Sequence, residues 1–217
     1  MVAYGVTAAD PDDLVKAITC TPASGSTFPL GATTVTCTAE DTHLNTATAT
    51  FAVAVQDRTA PAFAGLPSSL TADATSPSGA TVAYVQQTAN DLVDGAVAVK
   101  CAPSSRSLFP IGATTVKCAA VDVHGNAATA SFRVTVNGAS AQIDSLIKKL
   151  GGSSLTKPLD AAEAYLQKPD LESACAELAE FESEVGAAEN ARDLTSTQAS
   201  SLLASAAQIE TVVGCKR

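Results

Sequence analysis

The chain has 217 residues, a formal net charge of −9 and 46% hydrophobic residues, yet no Trp, one Met, two His and only 4% aromatics. Apolar content made mostly of Ala, Val and Leu supplies two or three small cores, not one large one. The charge excludes a phosphate-backbone binder, because the longest basic runs are Lys148-Lys149 and Lys216-Arg217 and an acidic surface repels nucleic acid; no stretch approaches the ~20 apolar residues of a membrane span.

The residues Met1-Val2-Ala3-Tyr4-Gly5 lack the charged region, apolar core and cleavage site of a signal peptide. From Thr19 to Val55 the chain repeats itself at an offset of 81: TCTPASGSTFPLGATTVTCTAEDTHLNTATATFAVAV aligns with KCAPSSRSLFPIGATTVKCAAVDVHGNAATASFRVTV, Lys100 to Val136, with 22 of 37 positions identical. Repeats of this length fold as beads, each with its own core. In the second copy Ala113–Asp122 alternates, with Val116, Cys118 and Ala120 on one face. Ala128–Val136 does the same with Ala130, Phe132, Val134 and Val136. Asp122-Val-His-Gly-Asn126 between them is a hairpin turn in which Gly125 takes positive φ and the Asp side chain caps amides. Phe109-Pro110-Ile111-Gly112 turns the chain into the first of these strands. Short Thr- and Val-rich strands at even spacing predict β-sandwiches.

The copies differ in two ways. Leu44 stands where the turn Gly is expected, which predicts a distorted turn. Val82-Ala-Tyr84 aligns with Val2-Ala-Tyr4, but Asp57 to Thr81 has no counterpart in copy one. The first repeat is therefore expected to have lost its opening strand, as in a fragment whose signal peptide lay upstream. Gln56-Asp-Arg-Thr-Ala-Pro61 is expected to stiffen the joint between repeats, because Pro restricts the residue before it.

After Asn137-Gly138 the β-branched alternation stops and Ala, Leu, Glu and Gln take over. Residues 141–150 carry Ile143, Leu146, Ile147 and Leu150 at helical spacing and end at Gly151-Gly152. A second helix is expected after Pro158, with Leu159, Ala162 and Leu166 on one side. A third follows Pro169 with Asp170 as N-cap and a stripe of Leu171, Cys175, Leu178, Phe181 and Val185. The last opens on a capping box, Thr195 with Gln198, carries Ala199, Leu202, Leu203, Ala206, Ile209 and Val213, and ends at Gly214. Short loops predict an antiparallel bundle.

Six cysteines in local pairs point to three disulfides and an oxidising compartment. No pair has the Cys-x2-4-Cys spacing of a zinc site. Pairing Cys20 with Cys37 and Cys101 with Cys118 closes loops of about 17 residues, ~3 kcal/mol each in the chain-entropy treatment. Pairing Cys175 with Cys215 joins one end of a helical hairpin and closes about 40 residues, ~4 kcal/mol.

The run Cys-x-Pro-x-Ser-x-Ser-x-Phe-Pro-x-Gly-x-Thr-Thr-Val-x-Cys-x-Ala-x-Asp-x-x-Gly-Asn resembles the HYR domain, the hyalin repeat, an immunoglobulin-like module of extracellular proteins. The resemblance implies adhesion or extracellular architecture and no activity. The segments AQIDSLIKKLG, SACAELAEFESEVGA and TSTQASSLLASAAQIETVVGC resemble the FIMAH domain, a C-terminal helical module of secreted bacterial proteins, which implies a role in association. The expected organisation is a truncated HYR repeat over 1–56, a complete one over 57–138 and a FIMAH-like helical bundle over 140–217.

Catalytic chemistry finds little support in the residues. His43 and His124 occupy the same turn position in both copies, which marks them as structural, and no nucleophile elbow or triad accompanies them. Asp41, Asn45, Asp122 and Asn126 offer two or three oxygens per repeat, with Asp57 and Asp94 remote, against the six to eight that Ca2+ takes, so turn capping is the expected role. Asp10, Asp12 and Asp13, facing only Asp91 and Asp94 in copy two, read as a solvated loop. Glu172, Glu177, Glu180, Glu182, Glu184 and Glu189 make the third helix acidic: a solvated face, or a docking face for a basic partner. Glycoside hydrolysis lacks its aromatic platforms, and Gly151-Gly152 follows a helix, not the strand of a phosphate loop. The sequence therefore predicts a secreted, non-catalytic spacer and adhesion protein with no cofactor and no metal, whose partner is a protein or a cell surface. The alternative is the accessory tail of a secreted hydrolase whose catalytic domain lies upstream.

Overall fold

The computed structural model describes residues 1–12 and 14–216; Asp13 of the acidic loop and Arg217 of the last basic pair lie outside the described residues. The chain divides into two compact units, Met1–Thr59 and Ala60–Arg217.

The first unit is one antiparallel sheet in the order β1 (Val15–Thr21), β2 (Gly31–Asp41), β3 (Thr46–Val55). The Thr/Val/Ala alternation of β2 and β3 pairs them in unbroken register from Gly31 opposite Val55 to Glu40 opposite Thr46. Phe28, Val35 and Cys37 are buried, and Val2, Tyr4, Phe51, Val53 and Val55 pack around them only partly covered.

The second unit begins with a β-sandwich of nine strands. β5 (Ser69–Asp73), β12 (Ala127–Asn137), β11 (Gly112–Val121) and β9 (Val99–Ala102) form one sheet in that order. β4 (Ala62–Ala64), β7 (Thr88–Asp91) and β8 (Gly95–Val97) form a second, and β6 (Ala80–Val82) pairs with β10 (Ser107–Phe109). The β11–β12 hairpin repeats the β2–β3 hairpin residue for residue, from Gly112 opposite Val136 to Val121 opposite Ala127. Here, however, β5 runs parallel along the outer edge of β12, Arg133 opposite Ser69 through Asn137 opposite Asp73. It adds Leu70 and Ala72 to the core, and Phe132, Val134 and Val136 are buried. At the equivalent edge of β3 no strand is paired among the described residues.

Four helices follow: α1 (Ala139–Leu150), α2 (Thr156–Leu166), α3 (Leu171–Asn190) and α4 (Ser196–Val213). Asp170 caps α3 by accepting from the Ser173 amide, and Thr195 with Gln198 forms the reciprocal box that opens α4. Two details differ from the sequence reading. Helix α2 starts two residues before Pro158, which fits inside the first turn because amides there have no intrahelical acceptor. Leu171, at the very start of α3, is 50% exposed, and Ala174 takes its place in the core. Ile143, Leu159, Leu178, Phe181, Val185 and Ile209 are fully buried at the centre of the bundle.

Helices and sandwich share more than a peptide link. Val212 of α4 belongs to the sandwich core, among Phe109, Val116 and Val134. Buried Gln142 of α1 donates through Nε2 to the carbonyls of Ala74 and Asn137, both at 3.1 Å, and Gln208 of α4 donates to the same Ala74 carbonyl at 3.1 Å. Gly138 enters α1 so close to the sandwich that a Cβ there would stand 2.9 Å from Ile111 Cγ2.

The contrast between the two hairpins is measurable. Amide hydrogen exchange across Ala52–Val55 should be faster than across Arg133–Val136, because only the latter are held between two strands. Equal protection of the two segments would contradict the assigned strand order.

Candidate functional site

The repeated turn is the most polar construction in each sandwich hairpin. In the second, Asp122 Oδ1 accepts from the amides of His124 at 2.9 Å and Asn126 at 2.7 Å, and Oδ2 accepts from Asn126 Nδ2 at 2.8 Å. In the first, Asp41 Oδ1 accepts from the amides of His43 and Asn45, both at 2.8 Å, and Oδ2 from Asn45 Nδ2 at 2.8 Å. The turn around Leu44 is not distorted. Leu44 adopts φ +69° where Gly125 has φ +89°, and both turns close with an amide-to-carbonyl bond back to the Asp. The aspartate's bonds impose the backbone, and Leu44 accepts a left-handed conformation that costs a residue with a Cβ about 1–2 kcal/mol.

His124 reaches beyond its own turn: its Nδ1 lies 3.0 Å from Asp94 Oδ2, and the Val123 amide donates to the same oxygen at 3.2 Å. Asp94, remote in sequence, is thus part of the turn's surroundings. Asp91, itself buried, accepts from the amides of Val93 and Asp94, and carboxylate oxygens of Asp91, Asp94 and Asp122 come within 4.8 Å of one another. Burial pushes the Asp122 carboxyl up, and the Asp91 charge adds to that. The side-chain and backbone donors of Asn126 and the His124 amide outweigh both and hold it below the usual carboxylate range. Asp57 serves a local turn, accepting from the Thr59 amide and hydroxyl.

Tyr4 and Tyr84 both lie on the repeat, and no local pattern in the sequence marks a role for them. Each phenol donates to a proline carbonyl, Tyr4 to Pro22 and Tyr84 to Pro103, and in both the peptide bond preceding the proline is cis. Each tyrosine also exchanges hydrogen bonds with one serine. The Tyr84 amide donates to Ser105 Oγ at 2.8 Å, which donates back to the Tyr84 carbonyl at 2.7 Å. Tyr4 and Ser24 repeat the exchange at 2.9 and 2.8 Å. The rings stand edge-on to Phe51 and Phe132 with centroids 5.0 and 5.1 Å apart. Burial pushes the Tyr84 phenol up. The available signal was the coincidence of Tyr, Ser and Pro at one offset in both copies.

The cysteines lie in three disulfides. Cys20–Cys37 and Cys101–Cys118 join directly opposed residues of neighbouring strands in one sheet, Cα atoms 4.0 Å apart, and Cys175–Cys215 ties α3 to the residue after the α4 cap, Cα atoms 5.6 Å apart. Among the described residues no helix is long and apolar enough to cross a membrane. His43 and His124 stand in turns held by backbone and carboxylate bonds, with no nucleophile among the partners named above.

Two repeats, the first a single sheet and the second a sandwich, each stapled within one sheet and clamped by the same Tyr–Ser–Pro arrangement, define a tandem module of immunoglobulin-like fold. The HYR domain family matches residues 2–55 and 56–136. The chain belongs to that family. No curated protein matches it. Among solved structures, extracellular cadherin domains 3–6 of protocadherin gamma B2 share 17% identity over 49% of this chain and 33% of that one, TM-score 0.27. Human protocadherin-24 EC1–2 shares 19% over 50% and 66%, TM-score 0.27, and a mouse clustered protocadherin EC1–3 shares 15% over 54% and 45%, TM-score 0.29. The chain spans about a third of the length of the first of these, and at such distances they carry no argument about its function.

Two outcomes test the turn. Leu44→Gly should stabilise the first unit by about 1 kcal/mol, read from its denaturation midpoint, because the left-handed strain disappears; destabilisation would mean that the Leu44 side chain contributes more than its backbone costs. For Asp122 the lowered pKa sets the sign. Its stabilising contribution is present above the unfolded carboxyl's titration near ~3.9 and is lost as pH falls through the lower folded value. The stability difference between wild type and Asp122→Asn should therefore be constant near neutrality and shrink below about pH 4, and a gap unchanged into strong acid would refute it.

Proposed function

We propose that the chain is a non-catalytic extracellular structural and adhesion module, in which two HYR sandwiches act as a spacer and the helices supply the contact. The observation that carries this reading is the placement of the staples: each repeat holds its own disulfide across adjacent strands, and the helices hold a third. Bonds of this kind persist in oxidising surroundings, and membership of the HYR family supports a place outside the cell. A staple inside one sheet limits how far a pulled module can lengthen, which suits a part that keeps other domains at a distance from a surface. The resemblance of the helices to the FIMAH domain supports an association role for that end and a secreted bacterial origin.

Force spectroscopy of the full chain tests the spacer role. Each sandwich disulfide spans 17 residues, so reduction should add about 60 Å of contour length to the unfolding of each sandwich, at up to ~3.6 Å per residue. Equal contour lengths with and without reductant would sink the idea of a disulfide-limited spacer.

A further inference from the structure

One end of the bundle is open. The loop between α1 and α2 faces the end of α3 and the start of α4, and between them lie two hollows of about 460 and 420 Å³ that share Ser153, Leu155 and Leu194. The first is walled by Leu150 and Leu202 as well, giving an aliphatic hollow of the size that holds small ligands and side chains. The second is bordered by Glu184 and Asp193. Glu184 is half-buried, and its Oε2 has no hydrogen-bond partner among the described residues. At the opposite rim Lys149 donates to Ser201 Oγ at 3.2 Å. The negative end is reinforced by α3, which carries six glutamates and no basic residue. The groove is thus apolar at one end and anionic at the other.

The geometry points to a peptide-docking groove for a polypeptide segment that places a Leu-sized apolar side chain against Leu150, Leu155, Leu194 and Leu202 and a Lys or Arg, a few residues away, against Glu184 and Asp193. It rests on the reading of the helices as the contact-making part and names the partner's chemistry. The charge complementarity decides the occupant. Nucleic acid and anionic lipid are repelled by α3, a sugar would find no aromatic platform among the lining residues, and a purely apolar peptide would leave Glu184 unpaired. A basic group brought into the groove gives the Glu184 and Asp193 carboxylates that border it a cation, and a charge-assisted hydrogen bond is roughly twice as strong as a neutral one.

The test is a selection of random short peptides, displayed on phage, against the immobilised full chain, followed by anisotropy measurements on the recovered sequences made as fluorescent peptides. They should share an apolar residue close to a Lys or Arg. Exchanging that base for Glu should abolish binding. Asp193→Lys and Ser201→Trp, both at exposed positions and so compatible with folding, should each weaken binding roughly tenfold. Recovered peptides without a basic residue would overturn the proposal. Peptides that bind equally well to both variants would discard the groove and leave the helices' contact role standing, whereas recovery of no peptide would remove both.

Discussion

The register of one hairpin holds the rest of each sandwich in place. In β11 and β12 the residues facing the core alternate with those facing out, so a slip of a single residue would turn Val116, Cys118, Phe132 and Val134 to solvent together. What fixes the register is the turn at its end, where one carboxylate accepts three hydrogen bonds from residues two and four positions on. The disulfide depends on the same hairpin through the adjoining ladder, in which Cys118 of β11 stands opposite Cys101 of β9. So does the tyrosine clamp, since Tyr84 stacks edge-on against Phe132 of the same hairpin. The first unit repeats the dependence with Asp41, Cys37, Tyr4 and Phe51.

Local patterns of the chain carried the hairpins, the helices and their caps. Two-residue alternation marks β2, β3, β11 and β12 because each has one face on a core, and Thr195 with Gln198 announces α4 because capping involves only near neighbours. Leu44 misled for the opposite reason: judged alone, a β-carbon argues against a left-handed turn, and only the three bonds to Asp41 show what imposes it. The strands of three to five residues, β4 to β8, are too short to show a period. The parallel pairing of β5 with β12 joins residues more than sixty positions apart, which no local signal encodes. The tyrosine clamp and the Asp94–His124 contact were hidden likewise, since each joins residues about twenty or thirty positions apart.

The helices show how polar groups can specify a junction. An apolar contact alone, such as Val212 in the sandwich core, tolerates sliding. Gln142 and Gln208 do not, because both donate to the Ala74 carbonyl, and Gln142 also closes on Asn137 and on Gln208 itself. Moving α1 or α4 by one residue would strand a buried amide and a carbonyl, at a cost of about 1–3 kcal/mol for each unsatisfied group. Gly138 allows the chain to turn from β12 into α1 beside Ile111, whose Cγ2 methyl would have to give way to a Cβ at 2.9 Å. The sandwich thereby holds the bundle at the start of α1 and the end of α4, and the open end with its groove lies at the opposite ends of these helices.

The same hairpin in two settings shows what a staple contributes to a small core. In the second unit Phe132, Val134 and Val136 are covered, and the disulfide adds to a core that also draws on β5, β6, β10 and α4. In the first, the equivalent Phe51, Val53 and Val55 remain partly exposed, and among its described apolar residues only Phe28, Val35 and Cys37 are buried. Burying an aliphatic or aromatic side chain contributes about 1.5–3 kcal/mol. A 17-residue loop closure worth ~3 kcal/mol therefore matches an entire buried side chain in a unit with three buried apolar ones among its described residues. The identical covalent bond is a modest supplement in one sandwich and a principal source of stability in the other. Reducing conditions should accordingly unfold the first unit well before the second, so the unit with the uncovered edge is also the one most dependent on an oxidising environment.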